Sequence, residues 1–233
     1  MSGKGRTAGP PGRRRSDAAS PRAVEARVRR AESELAASDD VLARLIEANG
    51  PCALGWPRAD ESLDHFGALC RSILFQQLAG KAAATIHGRF VALFDDRLPT
   101  PPGVLALPEG VLRSAGLSGA KAASIQDLAA KVGDGDIDLD HTATLDDEAL
   151  IEQLSSVRGI GRWTAEMFLM FQLGRLDVWP VGDLAVRKGF AVAWGLPAMP
   201  APKELGVLGN PYRPYRSIVA WYCWRAVETV TPG

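Results

Sequence analysis

The sequence predicts an all-α fold, and three features of its pattern support this prediction. Apolar residues recur every three or four positions along most of the chain, which is the spacing of one buried helix face. Two such stripes are Phe66, Leu69, Cys70, Ile73 and Leu74, followed by Ala83, Ile86, Phe90, Leu93 and Phe94. Acidic residues at 146–148 and a glycine at 159 suit the start and the end of a further helix. No convincing run of alternating apolar and polar residues predicts a strand.

The composition is that of a water-soluble globular protein. Of 233 residues, 46% are hydrophobic and 23% are charged, and no apolar stretch is long enough to span a membrane. A chain of this length can bury one sizeable core or two small helical lobes. Its three cysteines, Cys52, Cys70 and Cys223, are too far apart in sequence to suggest a metal-ligand cluster or a disulfide framework. We therefore expect a reducing compartment, the cytoplasm.

Residues 1–35 are predicted to form a disordered basic tail. The first 30 positions hold nine Lys or Arg and two acidic residues, so this stretch carries a net charge of +7 and the remainder −7. It is rich in Gly, Pro, Ser and Arg, and it lacks aromatic residues and the apolar stretch of a secretory signal. A solvated leader, a segment attracted to DNA phosphates and an organelle transit peptide are the three interpretations.

The most informative segment is LSSVRGIGRWTAEMFLMF, in which two glycines separate two helical patterns. Gly159 and Gly161 allow a tight turn between helices, and without Cβ atoms there a phosphate can approach the backbone. The N–H groups that open the second helix would point at that phosphate with the favourable end of the helix dipole. A ligand-free turn between helices is the alternative, and the triplet GIG by itself favours neither.

The continuation GRLDVWPVGDLAVRKGF places Asp183 22 positions after Gly161. Together, the hairpin and this aspartate resemble the helix-hairpin-helix (HhH-GPD) DNA glycosylases, whose signature is the hairpin, a Gly/Pro-rich loop and a catalytic aspartate. The resemblance is closest to the 3-methyladenine DNA glycosylase II branch. It extends from Asp39 to Val227 and includes the segments FQQLAGKAA, GLSGAKAASIQDLA and PYRSIVAWYCWRA. The sequence departs from the family at Tyr212, where tryptophan is usual.

The resemblance implies two helical lobes with a helix-hairpin-helix motif and an active-site cleft between them. We expect the central lobe, which contains the hairpin, over residues 66–175, and a second, discontinuous lobe over residues 36–65 and 176–233. The implied partner is double-stranded DNA containing damaged bases, bound by a monomer that does not associate with membranes. The expected location is the cytoplasm, at the nucleoid.

The resemblance implies no cofactor. A monovalent cation at the hairpin carbonyls is the one candidate ion. Iron–sulfur members of the superfamily carry four clustered cysteines near the C-terminus, whereas Cys223 stands alone here, so no iron–sulfur cluster is expected.

The implied activity is that of a monofunctional DNA glycosylase, which hydrolyses the N-glycosidic bond of alkylated purines in base excision repair. The carboxylate of Asp183 would stabilise the positive charge that builds on deoxyribose and would orient or deprotonate the attacking water. An ordinary helix N-cap is the alternative role, and one side chain can serve both. Two other functions stay open: a non-catalytic helix-hairpin-helix DNA-binding protein, and a glycosylase of the same superfamily with another lesion specificity.

The resemblance assigns the remaining site residues to three groups. A damaged base must leave the duplex to reach Asp183, so an apolar wedge at Leu78 would fill the gap while Gln76 or Gln77 contacts the opposite base. A buried turn leucine is the alternative for Leu78. The base pocket is assigned to Trp163, Tyr215 and Met167. The phosphate-binding hairpin is assigned to Arg158, Gly159, Ile160, Gly161, Arg162 and Thr164. No metal ligand is assigned.

Two further expectations depend on single positions. Bifunctional members of the superfamily attack the sugar with a lysine. The resemblance would place that lysine at Glu152 or at Trp163, and neither residue supplies an amine, so simple hydrolysis is expected.

Trp221 and Trp224 share the last helix with apolar neighbours and are assigned to the core.

Overall fold

The computed structural model describes residues 21–54 and 63–230, and every regular element in this part of the chain is helical. The α-helices are α1 (Pro21–Ser38), α2 (Asp40–Asn49), α3 (His65–Phe75), α4 (Gly80–Ala92), α5 (Pro101–Leu105), α6 (Val111–Ser114), α7 (Gly119–Gly133), α8 (Asp147–Ser155), α9 (Arg162–Phe171), α10 (Leu184–Trp194), α11 (Pro202–Leu208) and α12 (Arg216–Val230). Short 3-10 turns lie at Thr142–Thr144 and Asn210–Tyr212. The prediction of an all-α fold is confirmed. No helix in the described ranges is both long enough and apolar enough to cross a membrane.

Aspartate side chains determine where four of these helices begin. Asp39, Asp64, Asp146 and Asp183 immediately precede α2, α3, α8 and α10, and each accepts a hydrogen bond from a backbone N–H group of the first turn. The first N–H groups of a helix have no partner within the helix, so such a cap stabilises the start of the helix. For α10, this ordinary requirement places a carboxylate at the point where the chain changes direction.

The helices pack in two groups that share one continuous core. In the first group, α7 packs against α3, α5 and α6, while α9 packs against α3 and α8. In the second group, α12 packs against α1, α2 and α10. Asp183 lies where the chain leaves the first group and enters the second. The exact extent of the two lobes stays a prediction.

The closest helix contact in the second group is between α10 and α12. A Cβ atom added to Gly189 would lie 1.9 Å from the backbone oxygen of Cys223, so only glycine allows the two backbones to approach this closely. The contact fixes α12 against α10. As a result, Trp224 of α12 lies near the start of α10.

The predicted boundary of the disordered tail is wrong. Helix α1 begins at Pro21, and its Val28, Ala31 and Leu35 are buried at helix-face spacing. The carboxylate of Glu32 is also buried and accepts hydrogen bonds from the Cys52 backbone N–H and the Tyr222 hydroxyl. Arginines in the middle of α1 lie on its solvent side, so the overall composition of this stretch did not indicate that the helix also has an apolar face. The first 20 residues of the predicted tail lie outside the described residues.

Candidate active site and nucleic-acid interface

The carboxylate of Asp183 is the centre of the candidate site. The side chain is 8% exposed, and its Oδ1 accepts a hydrogen bond of 2.8 Å from the backbone N–H of Val186 in the first turn of α10. The Asp183 backbone N–H in turn donates to the carbonyl oxygen of Pro180, at 2.9 Å. Backbone and side chain are therefore both held. Asp183 is the N-cap of α10, and a catalytic role for the same carboxylate stays a prediction.

Two indole groups face the carboxylate, one from each helix group. The Nε1–H of Trp163, in the first turn of α9, donates to Asp183 Oδ2 at 2.7 Å. The Nε1–H of Trp224, on α12, donates to Asp183 Oδ1 at 3.2 Å. Together with the Val186 N–H, three donors fix the orientation of the carboxylate. Trp224 packs against the core, as predicted, and its indole nitrogen is in addition directed at Asp183, which the sequence did not indicate.

An exposed aromatic surface adjoins this carboxylate. Trp163, Met167 and Phe171 follow one another at four-residue spacing on α9, so they share one helix face. Trp163 is 51% exposed and Phe171 is 48% exposed, although both are large apolar side chains. Phe171 stacks on Trp224 with ring centroids 5.8 Å apart and an angle of 22° between the ring planes. Sequence reasoning missed Phe171, whose spacing from Trp163 and Met167 was the available signal.

Tyr215 does not belong to this surface. Its hydroxyl donates to a carboxylate oxygen of Glu34 on α1, at 2.8 Å. It precedes Trp224 by nine residues, which corresponds to about 13 Å along a helix axis. Tyr215, which was predicted to line the base pocket, thus lies at the contact between α1 and the start of α12, whereas Trp224 is the aromatic residue of α12 beside Asp183.

Tyr212, the position where the sequence departs from the family, is an interior residue. Its hydroxyl donates to Asp39 Oδ2 at 2.7 Å, and the same oxygen accepts a hydrogen bond from Trp194 Nε1 at 3.1 Å. The tyrosine therefore helps to hold the start of α2 against α10. The replacement of tryptophan there affects the packing of the second helix group.

The hairpin between α8 and α9 has the predicted geometry at both glycines. Gly159 has a φ of +77°, and a Cβ atom there would lie 2.7 Å from the hydroxyl oxygen of Ser124 on α7, so this position requires glycine. Gly161 is the N-cap of α9, provides no side-chain cap, and has no atom within 4 Å of the place a Cβ would occupy. The first N–H groups of α9 therefore have no side-chain cap, and Gly161 leaves room beside them, as an anion-binding helix start requires.

The other hairpin residues differ in what they can offer a phosphate. Arg158 is exposed, whereas the side chains of Ile160 and Thr164 are buried. Arg162 donates to both carboxylate oxygens of Glu148, the second at 2.7 Å, and to Glu166 at 3.1 Å. These two carboxylates pair with the Arg162 guanidinium within the protein, and the contact of this residue with phosphate stays a prediction.

The turn between α3 and α4 carries Leu78, the residue that was predicted to act as a wedge. Leu78 is 39% exposed, so it is not the buried turn leucine that was the alternative. Gln77 is also exposed and has a φ of +55°, which shows how sharply the chain turns here. Gln76, in contrast, donates through Nε2 to the carbonyl oxygen of Gly159 at 3.0 Å. Its side chain therefore joins the turn to the hairpin, and Gln77 is the glutamine that is free to face a partner strand.

A charged cavity of about 370 Å³ lies between α8, α9 and the loop before Asp183. Its ionisable lining residues are Asp147, Glu148, Arg162, Glu166, Asp177, Arg213 and Arg216. The carboxylate of Asp177 pairs with Arg216 at 2.7 Å and with Arg213 at 2.8 Å. Each arginine of this lining thus has a carboxylate partner: Arg162 pairs within the two hairpin helices, whereas Asp177 joins the loop before Asp183 to Arg213 and Arg216. Burial raises the pKa of the Glu166 carboxyl.

The three cysteines are buried and unpaired. Burial raises the pKa of Cys52 to about 12, so its thiol stays protonated at neutral pH. In the described ranges, no cluster of three or more His, Cys, Asp or Glu side chains is arranged to hold a metal ion.

A glycine-containing hairpin followed by a capped aspartate beside an exposed aromatic surface defines the site of a DNA glycosylase of the helix-hairpin-helix class. The sequence model for the HhH-GPD superfamily base excision DNA repair proteins matches residues 70–207. DNA-3-methyladenine glycosylase 1 of Schizosaccharomyces pombe is 33% identical over 198 residues, which cover 84% of this chain and 86% of that protein. This chain belongs to the HhH-GPD superfamily of base excision DNA repair proteins.

Solved structures agree with this assignment. The DNA-3-methyladenine glycosidase of Bacillus halodurans matches with a TM-score of 0.75 and 34% identity, over 83% of this chain and 87% of that one. The 3-methyladenine DNA glycosylase of Schizosaccharomyces pombe, solved in complex with abasic DNA, matches with a TM-score of 0.69 and 33% identity, over 84% of this chain and 95% of that one.

Proposed function

We propose that this protein is a monofunctional DNA glycosylase that hydrolyses the N-glycosidic bond of alkylated purines, of the 3-methyladenine type, in duplex DNA during base excision repair. The observation that carries the proposal is the carboxylate of Asp183, which is held by three N–H donors beside an exposed aromatic surface. The names of the similar glycosylases support the same substrate class.

The chemistry of this proposal requires a fixed negative charge near C1′ of the damaged nucleotide. As the bond to the purine breaks, positive charge develops on the sugar, and a carboxylate that is already oriented stabilises it without reorganisation. An alkylated purine is itself cationic, so the exposed faces of Trp163 and Phe171 would attract it. The same charge makes the base a good leaving group, and little acid assistance is then needed. Asp183 would also orient or deprotonate the attacking water.

The proposed DNA interface combines a grip on phosphate with a wedge. The open N–H groups at the start of α9 and the exposed Arg158 would bind phosphate, and such contacts carry no sequence information. Leu78 would enter the base stack as the damaged nucleotide leaves, and Gln77 would contact the opposite base. Replacing Gly161 with valine would fill the open space before α9, so we expect it to weaken binding to every duplex alike.

The absence of a suitably placed amine supports the monofunctional assignment. Glu152 and Trp163 occupy the positions where bifunctional relatives would carry lysine. Lys188 is exposed and lies five residues beyond Asp183 on α10, more than one helical turn away. The product should therefore be an intact abasic strand that breaks only after alkali or a separate endonuclease. Borohydride should trap no covalent adduct, and an adduct mapped to any lysine would overturn the monofunctional assignment.

The test of the proposed activity is base release from defined duplexes. A panel carrying 3-methyladenine, 7-methylguanine, hypoxanthine or ethenoadenine should give free base under single-turnover conditions, fastest for the cationic alkylated purines. Release of neutral lesions alone would favour the alternative of another lesion specificity. Tight binding to all duplexes without release of any base would favour a non-catalytic DNA-binding protein.

A monovalent cation is the one ion that we include in the proposal. The carbonyl oxygen of Val157 accepts a hydrogen bond from the Ile160 N–H, and that of Gly159 accepts one from Gln76. Each carbonyl oxygen has a second lone pair, so the hairpin retains acceptors that a cation could use. A bound cation would add positive charge beside the phosphate site. Affinity for undamaged duplex, compared in potassium and in tetramethylammonium salts of equal ionic strength, would reveal its contribution.

We further propose that the protein acts as a monomer on chromosomal DNA in the cytoplasm, without association with membranes. A monomer is the simplest state for an enzyme whose candidate site is built from one chain. Sedimentation of the free protein and of its complex with a short lesion-bearing duplex would test this.

A further inference from the structure

Helix α7 supports the turn that carries Leu78. The ammonium group of Lys121 donates to the backbone oxygen of Leu74 at 2.7 Å and to that of Gln76 at 2.8 Å. Both carbonyls lie at the C-terminal end of α3, where carbonyl oxygens have no partner within the helix. A cationic donor satisfies both and also interacts favourably with the negative end of the helix dipole.

The same helix supports the hairpin. The Ser124 hydroxyl packs against Gly159, and Asp127 Oδ2 accepts a hydrogen bond of 2.7 Å from the Arg158 backbone N–H. Residues 121, 124 and 127 are spaced by three, so one face of α7 touches both the turn after α3 and the hairpin. Helix α7 therefore holds both parts of the proposed DNA interface, the turn after α3 and the hairpin, in fixed positions.

The backbone of the turn itself provides little else to hold Leu78. The Leu78 N–H donates to the Phe75 oxygen at 3.4 Å, which is long for a backbone hydrogen bond, and its side chain is partly exposed. The preceding residue, Gln77, has a positive φ. The direction of Leu78 thus depends on where the carbonyls of Leu74 and Gln76 are fixed, together with the hydrogen bond from the Gln76 side chain to the hairpin.

We infer that Lys121 is a positioning residue for base extrusion, which holds the Leu78 turn in register with the phosphate-binding hairpin through its two hydrogen bonds to the end of α3. This inference rests on the proposed wedge role of Leu78. Fixing the turn in advance removes the cost of ordering it when the wedge enters the base stack. A lysine that only capped α3 would affect stability, and it would affect all substrates equally.

The test compares paired and unpaired forms of one lesion. Lys121→Met keeps most of the apolar stem and removes the ammonium group. We expect single-turnover release of 7-methylguanine paired with cytosine to fall about tenfold, since two charge-assisted hydrogen bonds are lost. Release of 7-methylguanine opposite a tetrahydrofuran abasic analogue, which costs less to extrude, should fall by less than about twofold. Lys203→Met, at an exposed position on α11, is the matched control and should leave both rates unchanged.

Two further variants keep the inference open to refutation. Lys121→Arg retains a cationic donor and should keep the ratio of the two rates within about threefold of the native ratio. If Lys121→Met does not fold, Lys121→Gln, which lacks the charge, replaces it in the comparison. Equal losses on both substrates would overturn the inference, because they indicate a purely structural cap.

A double-mutant cycle with Leu78→Ala separates this inference from the proposed function. A selective loss is one that lowers release of the paired lesion more than release of the unpaired lesion. If Lys121 acts through Leu78, Lys121→Met should cause no further selective loss in the Leu78→Ala background. An undiminished selective loss in that background would overturn the inference. A selective loss in Leu78→Ala without one in Lys121→Met would also overturn it, and the wedge would stand. The absence of selective loss in Leu78→Ala would refute the wedge and this inference together.

Discussion

Replacing Asp183 with asparagine removes the negative charge from the candidate site and changes little else in size. The carboxylate accepts hydrogen bonds at Oδ1 from Val186 N–H and Trp224 Nε1–H, and at Oδ2 from Trp163 Nε1–H. Asparagine has a single acceptor oxygen. If that oxygen takes the Oδ1 position, where it keeps two donors, the amide nitrogen is left opposite the Trp163 indole N–H at 2.7 Å. The cap of α10 survives, and Trp163 must move.

The expected magnitudes follow from these contacts. The Trp163 side chain is 51% exposed, so its N–H can turn to water, and the stability cost is below the usual range for a hydrogen bond to a charged group, about 1 kcal/mol. For a chain of this length that corresponds to a melting temperature lower by about 2–4 °C. Loss of the fixed charge opposite a developing cation should cost far more in the chemical step, about 3–5 kcal/mol, or 10²–10⁴-fold in rate.

The assay is single-turnover release of 3-methyladenine from methylated duplex, with the spontaneous loss of this cationic base subtracted, together with a binding measurement on undamaged duplex. Asp146→Asn is the matched control, because Asp146 caps α8 through a hydrogen bond of 2.8 Å to the Ala149 N–H and has no assigned part in the chemistry. It should leave the rate unchanged. If the asparagine variant at 183 released base at a rate close to the native one, the assignment of a catalytic residue would be refuted.

Three other substitutions test the surroundings of the site. Trp224→Phe keeps an aromatic ring and deletes the N–H donor to Asp183, so single-turnover release should fall about tenfold with little change in DNA affinity; an unchanged rate would remove Trp224 from the site. Gly189→Ala forces a methyl group against the Cys223 carbonyl and should lower the free energy of unfolding by about 3 kcal/mol or more in urea titrations, and a loss below about 1 kcal/mol would contradict the close helix contact. Burial raises the pKa of Glu166, so the contribution of this carboxyl to native stability should be lost as pH rises from the ordinary glutamate range through that raised pKa, whereas the side chain in Glu166→Gln does not titrate. Its stability relative to the native protein should therefore be higher at about pH 8 than at about pH 5, and the opposite trend would contradict a buried, protonatable carboxyl.

The local features of this protein could be predicted from its sequence. Helical periodicity indicated the fold class, since spacing is a property of the chain itself. The two glycines of the hairpin and the aspartate 22 positions later could also be identified, because turn geometry and helix capping depend on neighbouring residues. Trp163 and Leu78 were assigned from their positions in family motifs. Both are exposed, Trp163 at the helix start after the hairpin and Leu78 in the turn between α3 and α4.

The features that the sequence did not indicate are contacts between residues distant in sequence. The apolar neighbours of Trp224 on α12 indicated core packing, and only the packing of α12 on α10 shows that its indole also donates to Asp183. The pairing of Arg162 with Glu148 likewise depends on the position of α8. The basic composition around α1 suggested a disordered tail. Its Val28 is buried because other helices cover it, and their packing could not be predicted from composition.

The sequence by itself determined which residue types were present and where the chain turns: a carboxylate at a helix start, glycines at a hairpin, and an apolar side chain at the turn after α3. Only the tertiary structure decided which indoles face Asp183, which arginines are neutralised, and that Lys121 holds the turn carrying Leu78. The physical reason is that capping and turns are satisfied within a few residues, whereas a hydrogen bond between distant helices exists only after their packing has brought donor and acceptor within about 3 Å.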